Sequence, residues 1–291
     1  MNQIELKALA KINLGLDVLG RRENGYHDVR MVMQSVYLYD EVKIEKTSSS
    51  EIEVVSNLTF LPTGDGNIAY KAARLLKDEF HIEEGVRISL NKHIPVAAGL
   101  AGGSANAAAV LFGMNRMFRL GLSQKELMER GVRLGADVPY CIMRGTVLAE
   151  GIGEELSILP AMPKCSVLIA KPPISVSTKV VYEALDSREI EDHPDIDGII
   201  EGLKEGSLKK VASCMGNVLE DVTIPMHPVI EDIKQEMLEA GALNAMMSGS
   251  GPTVFGLFEN RSAAREAQRR IREKSLTKQV YVTSIHSVRR D

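Results

Sequence analysis

Between residues 95 and 106 the chain reads Pro95-Val96-Ala97-Ala98-Gly99-Leu100-Ala101-Gly102-Gly103-Ser104-Ala105-Asn106. Glycines where a strand gives way to a helix let the backbone approach an anion closely. Free N–H groups at the helix start would point at that anion, and the helix dipole would add to the attraction. No Lys-Ser/Thr pair follows the last glycine, so this is not a Walker A loop. Nor is the spacing that of a G-x-G-x-x-G dinucleotide turn. Residue types alone leave two readings open: an anion cradle, or a bare strand–helix connection.

Four further groups could do chemistry. Lys11 and Asn13 stand at i and i+2, on one face of a strand; a lysine there is an edge residue in water or a charge with a task. Asp137, in Gly135-Ala136-Asp137-Val138-Pro139, falls just past a helix end, where that helix's dipole gives a carboxylate nothing. Tyr26 and His27 follow Asn24-Gly25, the strongest short hairpin signal. An aromatic beside a histidine at a hairpin tip could stack on a planar base and bond its edge, or simply end the hairpin. Ser248-Gly249-Ser250-Gly251-Pro252-Thr253 reads as a glycine turn between two strands.

The elements that must carry these residues follow from periodicity and punctuation. Strands are expected over 5–18 and 29–40, with extended chain continuing to 55, and Asn67 caps a helix whose apolar residues Ile68, Ala72, Leu75, Leu76 and Phe80 recur at helical spacing. A strand over 86–90 leads into the glycine-rich stretch and a helix over 104–118 with the small face Ala105, Ala107, Ala108 and Ala109. Ser123 and Glu126 form a capping box for a helix ending near Gly135, after which 136–139 reads as loop and 140–150 as strand. Beyond Pro160, Pro163, Pro172 and Pro173, strands are expected at 166–170, 243–247, 253–258 and 280–285. Helices are expected at 178–186, 195–205, 207–218, 229–240 and 262–274. The pattern is that of an α+β protein with a boundary near residue 160, giving parts 1–160 and 161–291.

Composition limits what such a chain does. Of 291 residues 44% are hydrophobic and 25% charged, as in a globular protein and unlike a disordered or collagen-like one. With 35 Lys and Arg against 39 Asp and Glu the formal charge is −4, which speaks against a nucleic-acid partner or an anionic membrane surface. Cys141, Cys165 and Cys214 form no C-x-x-C pair, and the six histidines form no H-E-x-x-H, so no metal site is expected and the compartment reads as reducing and cytoplasmic. The uncharged run 93–115 is interrupted by Pro95, glycines, Ser104 and Asn106, and its apolar part falls well short of the ~20 residues that span a bilayer.

Taken in order, Ala10-Lys11-Ile12-Asn13-Leu14, Gly25-Tyr26-His27, P-x-x-x-G-L-A-G-G-S-A-N, L-G-A-D-V-P and S-G-S-G-P-T resemble the GHMP kinase superfamily, from Ala10 to about Phe258. Gly-Tyr-His after the first strand points within it to the branch that phosphorylates a cytidyl alcohol. The resemblance implies a ribosomal-protein-S5-like N-terminal domain, a ferredoxin-like C-terminal domain and an active site between them. It implies ATP with Mg²⁺ as donor and the 2-hydroxyl of 4-diphosphocytidyl-2-C-methyl-D-erythritol as acceptor. A kinase of another small alcohol, such as homoserine or mevalonate, is the rival. By the same resemblance Asp137 takes the hydroxyl proton and Lys11 stabilises charge and keeps Asp137 ionised. Residues 95–105 hold the triphosphate, with Asn67 and Lys92 near the nucleotide. Asn13, Tyr26, His27, Tyr182, Gly249, Ser250 and Gly251 meet the acceptor. Ala97, Ala98 and Ala101 stand where many relatives have glycine. Alanine resists positive φ, so all three are expected at negative φ, with Gly99, Gly102 and Gly103 supplying any special geometry.

Overall fold

The computed structural model describes residues 1–188 and 190–288. Its first two strands are long and change character along their length. β1 (Gln3–Arg21) alternates in burial over residues 3–7, is continuously buried from Ala8 to Val18 and is exposed again at residues 19–21. β2 runs from His27 to Thr47, absorbing the expected strand and the first part of the extended chain behind it. Two compact units result, and neither is continuous in sequence: one holds Met1–Ala10, Leu38–Val96 and Ala101–Met143, the other Lys11–Tyr37, Ala97–Leu100 and the described residues from Arg144 onward. β1 and β2 each contribute residues to both.

In the first unit β3 (Ile52–Ser56) lies parallel to β4 (Gly85–Asn91), and β4 lies antiparallel to the second half of β2, with Ile44 opposite Ile88. Four helices belong to it: α1 (Ile68–Glu79), α2 (Gly102–Phe118), α3 (Gln124–Val132) and α4 (Asp137–Met143). Asn67 caps α1 as expected, its side chain accepting from Ala69 N at 2.9 Å. Ser123 and Glu126 form the expected capping box of α3. The small residues of α2 let it come close to the strands. A Cβ on Gly113 would lie 2.5 Å from Ile44 Cδ1, so any side chain there would have to push the Ile44 side chain aside.

The second unit contains the first half of β2 paired with β5 (Thr146–Glu150), which pairs in turn with β6 (Glu155–Ile158). It also contains the second half of β1, against which β8 (Gly216–Asn217) lies parallel, Leu16 opposite Asn217. A separate antiparallel sheet runs β11 (Gln279–Ser284), β7 (Ser166–Lys171), β10 (Val254–Phe258), β9 (Asn244–Met247). In chain order that is fourth, first, third, second, the ferredoxin-like arrangement. Its core holds Val167, Ile169, Phe255 and Leu257, with Ile230, Ile233 and Met237 of α9 (Val229–Glu239) and Ala264, Ala267 and Ile271 of α10 (Arg261–Glu273). The remaining helices are α5 (Thr178–Leu185), α6 (Ile196–Glu205), α7 (Leu208–Cys214) and α8 (Glu220–Met226).

Three expectations are corrected. Residues 137–143 are not loop and strand but α4, because Pro139 falls in the first helical turn, where a missing N–H costs nothing. The helix expected over 207–218 stops at Cys214, and Gly216-Asn217 joins β1 instead. The third concerns Ala97 and Ala101, treated below. Among the described residues no helix is long and apolar enough to cross a membrane.

Candidate active site

Lys11 is 5% exposed and its neighbours Ile12 and Leu14 are fully buried, so this is no edge lysine in water. Its Nζ donates to Asn13 Oδ1 at 2.8 Å and to the Gly99 carbonyl oxygen at 3.1 Å. Asn13 in turn donates from Nδ2 to Met31 Sδ at 3.4 Å. A Cβ on Gly249 would stand 3.6 Å from the same Nζ, so the missing side chain keeps space beside the ammonium. Among the described residues of its unit no ion pair forms with Lys11. A buried ammonium holding two neutral acceptors and no counter-charge is costly unless an anion completes it.

Two glycine loops meet at that lysine. Gly99, at φ +70, turns its carbonyl to Lys11 Nζ and accepts also from Ser248 Oγ at 3.0 Å. A Cβ at Gly99 would overlap the carbonyl oxygen of Ser248. Residues 248–251 are held from below by Asn217, whose Nδ2 donates to Met247 O at 2.9 Å and Gly249 O at 2.8 Å. Ser250 Oγ lies 2.8 Å from Thr178 Oγ1. Sequence spacing placed Lys11, Asn13, Gly99 and Gly249–Gly251 apart, and the structure brings them together; Asn217 and Ser248 are the supports it missed.

The glycine-rich stretch has a geometry of its own. Ala97 (φ 49), Gly99 (φ 70) and Ala101 (φ 55) are left-handed, whereas Ala98, Gly102 and Gly103 are not. The expectation of negative φ thus holds for Ala98 and fails for Ala97 and Ala101. Gly102 and Gly103 are the first residues of α2 and are needed for no unusual φ. Left-handed residues alternating with others turn successive N–H groups into one concavity, a form that binds anions. Ala101 is the N-cap of α2 and no side chain caps its first N–H groups, so those of Gly102, Gly103 and Ser104 stay open. Ala105 N–H closes on Ala101 O at 2.8 Å and belongs to the helix ladder.

Lys92 lies under this helix start, buried, its Nζ paired with the fully buried Asp40 carboxylate and donating to Asn106 Oδ1 at 2.7 Å. Asn106 Nδ2 donates to Asp40 at 2.9 Å, and the other Asp40 oxygen accepts from His93 N and Ile94 N at 2.7 and 2.8 Å. Asn67 is similarly engaged, in its cap and in a bond from Nδ2 to Pro62 O at 2.8 Å. Lys92 therefore braces the helix that carries the open N–H groups, through Asn106, whereas Asn67 holds the start of α1. Asp137 stands in the first turn of α4, half-buried, and its carboxylate has no hydrogen bond or ion pair among the described residues.

The hairpin meets α5. His27 and Tyr182 pack with ring centroids 4.7 Å apart, tilted by 41°, and His27 Nε2 lies 2.6 Å from Asp186 Oδ1. Tyr26 is 58% exposed, and the turn behind it is fixed by Tyr26 N donating to Asn24 Oδ1 at 3.1 Å and Arg22 N to Tyr26 O at 2.7 Å. An exposed ring on a braced turn is a stacking surface.

A backbone nest, an uncapped helix start and a buried lysine are features that a phosphoryl-transfer enzyme can use. Family models decide which one: that of the GHMP kinases N terminal domain matches residues 67–145, and that of the GHMP kinases C terminal matches residues 199–275. The chain belongs to the GHMP kinases. A relative from Lachnospira eligens named 4-diphosphocytidyl-2-C-methyl-D-erythritol kinase is 59% identical over 97% of this chain and 98% of its own. A crystal structure of 4-(cytidine 5'-diphospho)-2C-methyl-D-erythritol kinase superposes with a TM-score of 0.83 at 31% identity, over 98% of this chain and 100% of that one. A homoserine kinase from Cytophaga hutchinsonii, at 21% identity and a TM-score of 0.77 over 98% and 95%, shares the fold. As a GHMP kinase the chain is a small-molecule kinase with ATP as phosphoryl donor.

Proposed function

We propose that this GHMP kinase transfers the γ-phosphoryl group of ATP to the 2-hydroxyl of 4-diphosphocytidyl-2-C-methyl-D-erythritol, a step of the non-mevalonate route to isoprenoid precursors. The relative's name supplies the acceptor. The observation that carries the site is Lys11: a buried ammonium with two neutral acceptors, and with the side-chain position of Gly249 3.6 Å from its Nζ. Phosphoryl transfer is mostly positioning and charge stabilisation. The nest at 97–101 and the free N–H groups of Gly102, Gly103 and Ser104 receive the triphosphate, with Pro95, Val96 and Ala105 shaping that stretch. Asn67 and Lys92 act through the elements they hold. Lys11 offsets charge on the transferred group or the nascent alkoxide. Asp137, whose carboxylate has no other partner among the described residues, orients the hindered tertiary hydroxyl and takes its proton. Gly249, Ser250 and Gly251 border the acceptor with Asn13. Tyr26 stacks on cytosine, His27 bonds its edge, and Tyr182 backs His27.

Mg²⁺ enters with the nucleotide. Among the described residues no group of three or more His, Cys, Asp or Glu side chains could hold a metal. Mg²⁺ keeps its waters and binds through substrate phosphates; when bound, it would neutralise phosphate charge.

Kinetics with ATP against the diphosphocytidyl acceptor, homoserine and mevalonate tests this. Turnover is expected with the first alone. In Tyr26→Ala, KM for the cytidyl acceptor should rise roughly 5- to 150-fold, from a stacking contribution of about 1–3 kcal/mol, while KM for ATP holds. A rise in KM for ATP alone would put the hairpin at the wrong substrate.

A further inference from the structure

His27 is held on two sides by one helix. Tyr182 and Asp186 are four residues apart, so they share a face at the C-terminal end of α5. The Tyr182 ring packs on the imidazole, and Asp186 Oδ1 sits 2.6 Å from its Nε2. Asp186 also receives Arg21 Nη1 at 3.3 Å, and its backbone N–H donates to Tyr182 O at 3.0 Å. The side chains of His27 and Asp186 are 10% and 21% exposed. His27 Nδ1 has no hydrogen-bond partner among the described residues.

A carboxylate only accepts hydrogen bonds. The nitrogen facing it must therefore carry the proton, and in the neutral ring Nδ1 is left as a bare acceptor. We propose that Asp186 is a specificity-determining positioning residue: by fixing the proton of His27 on Nε2 it makes Nδ1 an acceptor for the exocyclic amine of a cytosine base, where uracil would present a carbonyl oxygen. This rests on the reading that His27 meets the base. The diphosphate tail sets where the base lies, so the group opposite Nδ1 decides the match: a donor is bonded, and a second acceptor leaves both lone pairs facing each other.

The test compares kcat/KM for the cytidyl acceptor and its uridyl analogue in the wild type, Asp186→Ala and His27→Ala, and records the ¹⁵N signals of His27 in histidine-labelled protein. The wild type should show a protonated Nε2 and a bare Nδ1. Asp186→Ala should mix the tautomers and lower the cytidyl-over-uridyl ratio, by at most the about tenfold that one hydrogen bond of roughly 1.4 kcal/mol supplies. A wild-type His27 with its proton on Nδ1 overturns the proposal without any variant. So does an Asp186→Ala ratio equal to wild type while His27→Ala loses it, a result that leaves His27 at the base. If His27→Ala also keeps the ratio, the reading beneath the proposal is the one that fails.

Discussion

The carbonyl oxygen of Gly99 accepts from Lys11 Nζ at 3.1 Å and from Ser248 Oγ at 3.0 Å, tying the lysine of β1 to both glycine loops. Backbone bonds repeat the link, with Lys11 N donating to Leu100 O at 3.1 Å. The ammonium is thereby aimed by main-chain atoms that cannot change rotamer, and its position depends on the two loops staying in register.

Gly99→Ala should break that register. The new Cβ would overlap the Ser248 carbonyl, at a φ that alanine adopts at a cost of about 1–2 kcal/mol. Gly103→Ala has room, its Cβ meeting Ile68 Cγ2 at 3.5 Å, and its φ is ordinary. Ala in place of a helical Gly should raise stability by about 0.5–1 kcal/mol, while the added methyl weakens nucleotide binding. Thermal unfolding and calorimetric titration with a non-hydrolysable ATP analogue separate the two. Equal loss of stability in both variants would contradict this account.

Lys92→Met tests whether Lys92 is a nucleotide ligand or a support. Its removal leaves the fully buried Asp40 carboxylate without its counter-charge, a defect of about 3–5 kcal/mol. Melting should fall sharply, and adding Asp40→Asn in the same chain should restore part of it. A variant that melts like the wild type yet binds ATP poorly would make Lys92 a direct ligand.

Local chemistry was readable in the chain. Asn67 and the Ser123–Glu126 box are caps whose partners lie within three residues, so their spacing is the whole signal. The strands and helices of the ferredoxin-like sheet were legible for the same reason. Asp137 reads as loop in the sequence yet opens α4, since a proline in a first helical turn breaks nothing. α8 carries Pro225 inside and was missed likewise. Asp40, Asn106, Asn217 and Asp186 gave no signal, because each works on groups brought near only by folding: Asp186 lies 159 residues from His27, and Asp40 lies 52 from Lys92.

Ala97 and Ala101 show tertiary structure overriding propensity. Both are left-handed although neither is glycine, in a stretch that Gly99 anchors to Ser248. Ala101→Gly should relieve about 1 kcal/mol of backbone strain and lose about as much to a freer unfolded chain, so melting should barely move. Ala101→Val, β-branched at φ 55, should cost clearly more than 1 kcal/mol. Chemical denaturation of the two variants decides it; a valine variant as stable as the wild type would mean that residue 101 is not left-handed.

Asp137 and Lys11 should respond differently to removal, because only one of them also holds structure. The Asp137 carboxylate makes no hydrogen bond or ion pair among the described residues. Asp137→Asn therefore gives up only a favourable charge in the first turn of α4, worth about 0.3–1 kcal/mol. If that carboxylate takes the proton of the acceptor hydroxyl, kcat should fall by ~10²–10⁴ with both KM values close to wild type. Lys11→Met removes a donor from Asn13 Oδ1, in a residue that is fully buried, and one of two from Gly99 O. Leaving a buried acceptor unsatisfied costs about 1–3 kcal/mol, so this variant should lose stability as well as turnover. Steady-state kinetics paired with thermal melts on the two proteins gives four numbers, and the expected pattern is three losses and one near-constant value, the melting of Asp137→Asn. Wild-type turnover in Asp137→Asn would remove it from the proton transfer. A Lys11→Met protein that melts and turns over like the wild type would mean that the bond to Gly99 holds nothing in place.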